Sequence, residues 1–231
     1  MTSLRRGTRR SVAVLVGVLA VLAACSLTAC ATVVTGTATW PGATMDRVLL
    51  TAADFPQGVQ YDRIVEDAGE PDGSGGPPAM LSAPEGCTDG LTRVIAGSAE
   101  RGPGAAGKFI AAYDGARMVV TVLSSPLPLD RLDATAQRCA QFRAFFDPSD
   151  EGIPITTTRL QAPRSSALVY RQTMRLNDVD ESVYFGFENV GGWSVFGIAF
   201  PTPNPSIATK ATLPETFLEA FFKQVERVEA R

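Results

Sequence analysis

The chain has 231 residues, 45% of them hydrophobic and 19% charged, with 21 Gly, 16 Pro, four Cys and no His. That length suits one sizeable domain or two small ones, and the charged fraction is too low for a mainly disordered chain. Without histidine there is no Ser-His-Asp or Cys-His catalytic unit, no HExxH zinc site and no histidine pH switch.

Residues 1–29 read as an export signal. Arg5, Arg6, Arg9 and Arg10 form a positive start, and Ser11 to Ala24 is an almost wholly apolar run too short to span a bilayer comfortably. Two cysteines follow in lipobox-like settings, Leu22-Ala23-Ala24-Cys25 and Leu27-Thr28-Ala29-Cys30. Either fits the local chemistry of lipidation, and Cys30 is the expected site, with Cys25 the alternative. A plain secretory signal cleaved near Ala29 or Ala31 is the unlipidated reading. Removing the four arginines lowers the basic count from 21 to 17 against 24 acids, moving the formal charge from −3 to about −7. An acidic exported body is a poor partner for nucleic acid.

Residues 30–45, rich in Thr, Gly and Ala, read as a tether, and residues 46–231 as one extracytoplasmic domain. Asn204 is followed by Pro205, so it makes no N-glycosylation acceptor. Val59–Val65 suggests a first strand, and Asp67–Pro78, dense in Gly, Pro and acids, a loop. Ser82-Ala83-Pro84-Glu85 has the form of a capping box, and Cys87, Leu91, Val94 and Ile95 then recur on one helical face.

Strands are expected over Lys108–Asp114 and Met118–Ser124, joined through Gly115-Ala116. A second helix is expected over Leu129–Phe146, with Leu129, Leu132, Ala136, Cys139, Phe142 and Phe146 as its apolar stripe. Four strands follow, Ile155–Gln161, Ala167–Leu176, Ser182–Val190 and Trp193–Phe200, the last two joined by the hairpin signal Gly191-Gly192. A closing helix opens at Thr212-Leu213-Pro214-Glu215 and carries Phe217, Leu218, Phe221, Phe222, Val225 and Val228 on one face. The sum is an α+β fold, a single antiparallel sheet of about six or seven strands with three helices packed on one face.

Cys87 and Cys139 are the two cysteines of the folded body. An exported compartment permits a disulfide between them, and both fall on apolar stripes that would point them from helices into the core. Two separate buried thiols are the alternative.

Chemical motifs are weak. Gly102-Pro103-Gly104-Ala105-Ala106-Gly107-Lys108 matches phosphate-loop strings, but a helix is expected before it and a strand after, and Phe109 stands where a Ser or Thr would hold magnesium. Asp178-Val179-Asp180-Glu181 reads as a solvated acidic turn before a weak calcium site. No SxxK or GxSxG motif occurs in the body. No metal, no cofactor and no enzymatic activity are expected. The strand over Ala167–Leu176 alternates so that Tyr170, Gln172 and Met174 share the core-facing side. A buried amide among apolar groups resembles the lining of a small-ligand pocket, and these three are the candidate ligand-binding residues. A Gln reaching water near a strand end is the plainer reading. Arg171, Thr173 and Arg175 lie on the opposite side, as solvated charges or as contacts for an anionic headgroup.

The lipobox, the start Cys30-Ala31-Thr32-Val33-Val34-Thr35-Gly36-Thr37-Ala38, the segment Leu49-Leu50-Thr51-Ala52-Ala53-Asp54-Phe55-Pro56 and the two body cysteines together resemble uncharacterised mycobacterial lipoproteins. More distantly, the body resembles PknH-like extracellular sensor domains and small PsbP-like lipoproteins. The resemblance implies a lipid-anchored envelope protein without established catalysis. Its partners would be the membrane, through the N-terminal lipid, and a small molecule, an envelope glycolipid or an envelope protein. A histidine-free extracytoplasmic hydrolase and a purely structural or interaction lipoprotein are the alternatives.

Overall fold

The computed structural model describes residues 42–64, 80–93, 95, 104–176, 179–202 and 213–231. All of them fall in one compact unit, residues 39–231. The expected signal, both lipobox cysteines and the Asp67–Pro78 loop lie outside the described residues.

Nine strands make one sheet, ordered β1-β3-β4-β9-β8-β7-β6-β5-β2. They are β1 (Gln60–Ile64), β2 (Leu81–Ala83), β3 (Ala106–Tyr113), β4 (Ala116–Leu123), β5 (Gln141–Phe145), β6 (Ile153–Leu160), β7 (Leu168–Leu176), β8 (Val179–Val190) and β9 (Trp193–Pro201). Every pairing is antiparallel. Three α-helices accompany them among the described residues: α1 (Ala43–Val48), α2 (Leu129–Arg138) and α3 (Glu215–Glu229). Met45, placed by sequence in the tether, is buried in α1.

The α+β class and single sheet agree with the sequence, but the strands number nine, not six or seven. β2 and β5 are the additions, and both come from stretches expected to be helical. Helix α2 stops at Arg138, Cys139 is its C-cap, and Phe142 lies on β5. In β5 Phe142 and Ala144 are buried while Gln141 and Arg143 are exposed, the two-residue period of a strand. Among the described residues the Cys87 segment is turn and bend with no assigned helix, and Val94 of the expected stripe lies outside them. Ser82 pairs with Ala144 across the ladder, its hydroxyl accepts the Cys87 N–H at 2.9 Å, and Gly86 sits at φ +75°, a left-handed conformation that ends any helix there. The β3–β4 turn is centred one residue early, on Asp114 and Gly115, both at positive φ. Pro214 occupies the N-cap of α3 without a side-chain cap, and Thr212 of the expected box lies outside the described residues.

The helices divide between the two faces of the sheet, not one. On the first face α1 and α3 cover Phe109, Met118, Val120, Val122, Tyr184, Val195 and Ala199. Phe217, Phe221 and Val225 of α3 are fully buried there, each contributing about 1.5–3 kcal/mol of apolar burial. Close packing requires Gly197, opposite Gly186 in the ladder: a Cβ there would stand 2.8 Å from the Phe217 ring. On the second face α2 packs on Leu123, Leu168, Tyr170, Phe185, Phe187 and Phe196.

Candidate functional site

Helix α2 is held at three points. Before its first turn, the Asn189 carboxamide accepts from the Leu127 N–H at 2.8 Å and donates to the Leu127 carbonyl at 2.9 Å. At mid-helix, Asp133 accepts from the Tyr170 hydroxyl at 2.5 Å and from Arg159 at 2.7 Å. At its end, Cys139 is placed in disulfide geometry with Cys87, S–S 2.06 Å and Cα–Cα 5.5 Å. Both cysteines are 1% exposed, in a small cluster with Phe142 and Ala144.

Between α2 and the turn that carries Cys87 lies a cleft of about 600 Å³. One wall is the α2 face formed by Arg131, Leu132, Thr135 and Arg138, and the other is built from Gly86, Gly90 and Arg93. Arg131, Thr135 and Arg138 recur at i, i+4 and i+7, one stripe of a helix. Gly90 sets how closely the walls meet below, since a Cβ there would stand 2.8 Å from both the Gly86 carbonyl oxygen and the Thr135 methyl. Leu127 and Leu132, both buried, reach the cleft from the same apolar cluster as Tyr170.

The electrostatics are uneven. Arg93 is clamped by Asp89, Nε to Oδ2 at 2.9 Å and Nη2 to Oδ1 at 2.7 Å, and those hydrogen bonds raise its pKa. Arg138 donates through Nη1 to the Glu85 carbonyl at 2.9 Å and to the Cys87 sulfur at 3.7 Å. Arg131 is exposed and forms no ion pair among the described residues. The hydrogen bond from Tyr170, with Arg159 adding to it, holds the Asp133 carboxyl below the usual carboxylate range, while burial and then Asp133 push the Tyr170 phenol up.

The three residues chosen from sequence do share one face of β7. Tyr170 is 2% exposed and spends its hydroxyl on Asp133; Gln172 is 9% exposed and donates to the Thr157 hydroxyl at 3.2 Å; Met174, half-buried, stands opposite Ile155. Tyr170 therefore braces the cleft from beneath through α2. Sequence reasoning missed Arg93, Arg131, Thr135 and Arg138, although the i, i+4, i+7 spacing of the last three was legible. On the opposite face, Thr173 and Arg175 line a depression of about 540 Å³ with Arg143 and Asp180. Arg143 there donates to the Glu151 and Gly152 carbonyls at 2.8 and 3.0 Å. Among the described residues no cluster of three metal-ligating side chains occurs, and no helix is long and apolar enough to cross a membrane.

No family model and no curated protein matches the chain. Among solved structures, an uncharacterised protein from Mycobacterium smegmatis is similar to it with a TM-score of 0.48 and 14% identity, over 77% of this chain and 92% of its own. The extracellular domain of PknH from Mycobacterium tuberculosis is similar with a TM-score of 0.47 and 13% identity, over 80% of this chain and 95% of its own.

Proposed function

We propose that the chain is a lipid-anchored, non-catalytic binding protein of the cell envelope, acting on the outer face of the membrane. Its α+β domain holds a small ligand, or the exposed part of an envelope glycolipid, in the cleft between α2 and the Cys87 turn. The cleft carries this reading: its volume of about 600 Å³ falls in the range of small-molecule sites, and buried leucines meet a few directed polar groups in it. Tyr170 braces the helix wall through Asp133, while Tyr170, Gln172 and Met174 do not themselves line the cleft. The export signal and lipobox support the location, with Cys30 as the lipidated residue and Cys25 as the alternative.

The protein isolated from envelope membranes is expected to carry a bound small molecule visible by native mass spectrometry. Arg131→Trp, which fills the cleft from an exposed position, should release it without changing the circular dichroism spectrum. Retention of the molecule by Arg131→Trp, or its recovery as a chemically altered product, refutes the reading. Lipidation is checked in the same preparation: Cys30→Ala should lose the lipid mass and Cys25→Ala should keep it.

A further inference from the structure

We infer that the cleft receives a phosphate-type anionic group joined to an apolar body. This rests on the binding reading above and adds the chemistry of the ligand. Three guanidinium groups, Arg93, Arg131 and Arg138, line one cleft in a body whose expected mature charge is about −7. Arg93 is neutralised by Asp89, which leaves Arg131 and Arg138 as cleft cations with no carboxylate partner among the described residues.

Two of the acids close by are already engaged. Asp89 is taken bidentately by Arg93, and Asp133 is taken by Tyr170, Arg159 and Gln137. Glu85 gives Arg138 its backbone carbonyl while its carboxylate charge acts on Arg93, and neither Glu85 nor Asp130 is part of the cleft lining. Arg131 is left with no anion among the described residues. Arginine forks match the oxygens of a phosphate, and the Thr135 hydroxyl lies on the same stripe of α2. The floor is of the opposite character, with Leu127 and Leu132 buried beneath the charged rim. A purely polar anion would leave that floor unused, and a neutral hydrocarbon would leave the rim unused. An amphiphile with a phosphate head uses both.

The test titrates the full chain in dodecyl maltoside at low ionic strength with three probes: inorganic phosphate, monohexyl phosphate and hexanol. Monohexyl phosphate should bind at least about tenfold more tightly than hexanol, as one or more charge-assisted hydrogen bonds require. Arg131→Gln should remove about tenfold of that affinity, whereas Arg117→Gln, on β4 away from the cleft, should leave it unchanged. A clear preference for the alkyl ester over inorganic phosphate supports the inference, and inorganic phosphate binding as tightly as monohexyl phosphate overturns its apolar half. Hexanol binding as tightly as monohexyl phosphate, or no effect of Arg131→Gln and Arg138→Gln, overturns the inference. If the envelope molecule is still released by Arg131→Trp in that case, the binding reading stands with a neutral ligand. If it is not, both fail.

Discussion

Gln224 offers the sharpest test of the packing. It lies in the middle of α3 with its carboxamide fully buried, an arrangement that needs partners for both ends of the amide. Its Oε1 accepts from the Leu50 N–H at 2.9 Å, and its Nε2 donates to the Val48 carbonyl at 2.6 Å. Val48 is the last residue of α1, so this carbonyl is one of those a helix terminus leaves without an internal partner. One side chain thus caps α1 and fixes the chain as it leaves the helix, across 174 residues of sequence for the Leu50 bond.

Gln224→Met keeps the volume and removes both bonds. Each stranded backbone group costs about 1–3 kcal/mol, and the added apolar burial offsets part of this, so the expected loss is about 3 kcal/mol. For a domain of this size that is a fall in Tm of about 6–12 °C. Urea denaturation followed by circular dichroism measures the difference directly, with a denaturant slope equal to wild type. Lys223→Met is the control: Lys223 also reaches the N-terminal segment, donating to the Asp54 carbonyl, but from an exposed position. It should cost less than about 1 kcal/mol. A loss below about 1 kcal/mol for Gln224→Met would refute the reasoning, because it would mean that Val48 and Leu50 find other partners.

Reduction of the Cys87–Cys139 pair, which spans 52 residues, should lower stability by about 4 kcal/mol on the chain-entropy account, and hydrogen exchange should rise around Leu91 before it rises in β8 and β9. Two free thiols on non-reducing peptide mapping would refute it. Asp133→Asn should flatten the acid side of the stability curve. Tyr170 holds the folded carboxyl below its unfolded value near 4, so its contribution is present above that value and is lost as pH falls through the folded one. Thermal melts between about pH 5 and pH 2.5 showing equal slopes for wild type and Asp133→Asn would contradict this assignment.

The hairpin β8–β9 and helix α3 were legible because their signals are local. Gly191-Gly192 is flanked by strand-forming runs, and the aromatic face of α3 repeats at 3.6 residues over 15 residues. β5 was hidden by an ambiguity of period. Cys139, Phe142 and Phe146 fit a helical stripe, while Phe142 and Ala144 fit alternation, and only the pairing with β6 decides between them. β2 has three residues, too few for any period to show. The Ser82–Glu85 string failed because a capping signal needs helix directly after it, and Gly86 at positive φ breaks the chain direction at that point. The Tyr170 row was placed on the correct face, since alternation along β7 fixes it. The cleft was not visible, because its second wall exists only once the Cys87 turn is folded back against α2.

That second wall is held to α2 by only a few ties. β2 is a short edge strand, and the apolar cluster around Cys87 and Cys139 is the smallest of three in the domain. The turn contributes bonds to β2 and to the residue before it, Cys87 N–H to the Ser82 hydroxyl at 2.9 Å and Thr88 Oγ1 to the Met80 carbonyl at 2.8 Å, but these fix its shape and not its distance from α2. Distance is set by the Cys87–Cys139 link, by the hydrogen bond from Arg138 to the Glu85 carbonyl, by Leu91 buried with Leu132 and Ala136, and by the contact of Gly90 with Thr135. Helix α2, in contrast, is fixed to the sheet through Asn189 and Asp133 whatever the turn does. The cleft therefore has one wall, presenting Arg131 and Arg138, that is tied to the sheet, and one wall that is tied to α2 by a covalent bond, a hydrogen bond and Leu91. Tertiary position at this site rests in part on a bond that forms only in an oxidising compartment, so the proposed export and the closed cleft stand on the same covalent link.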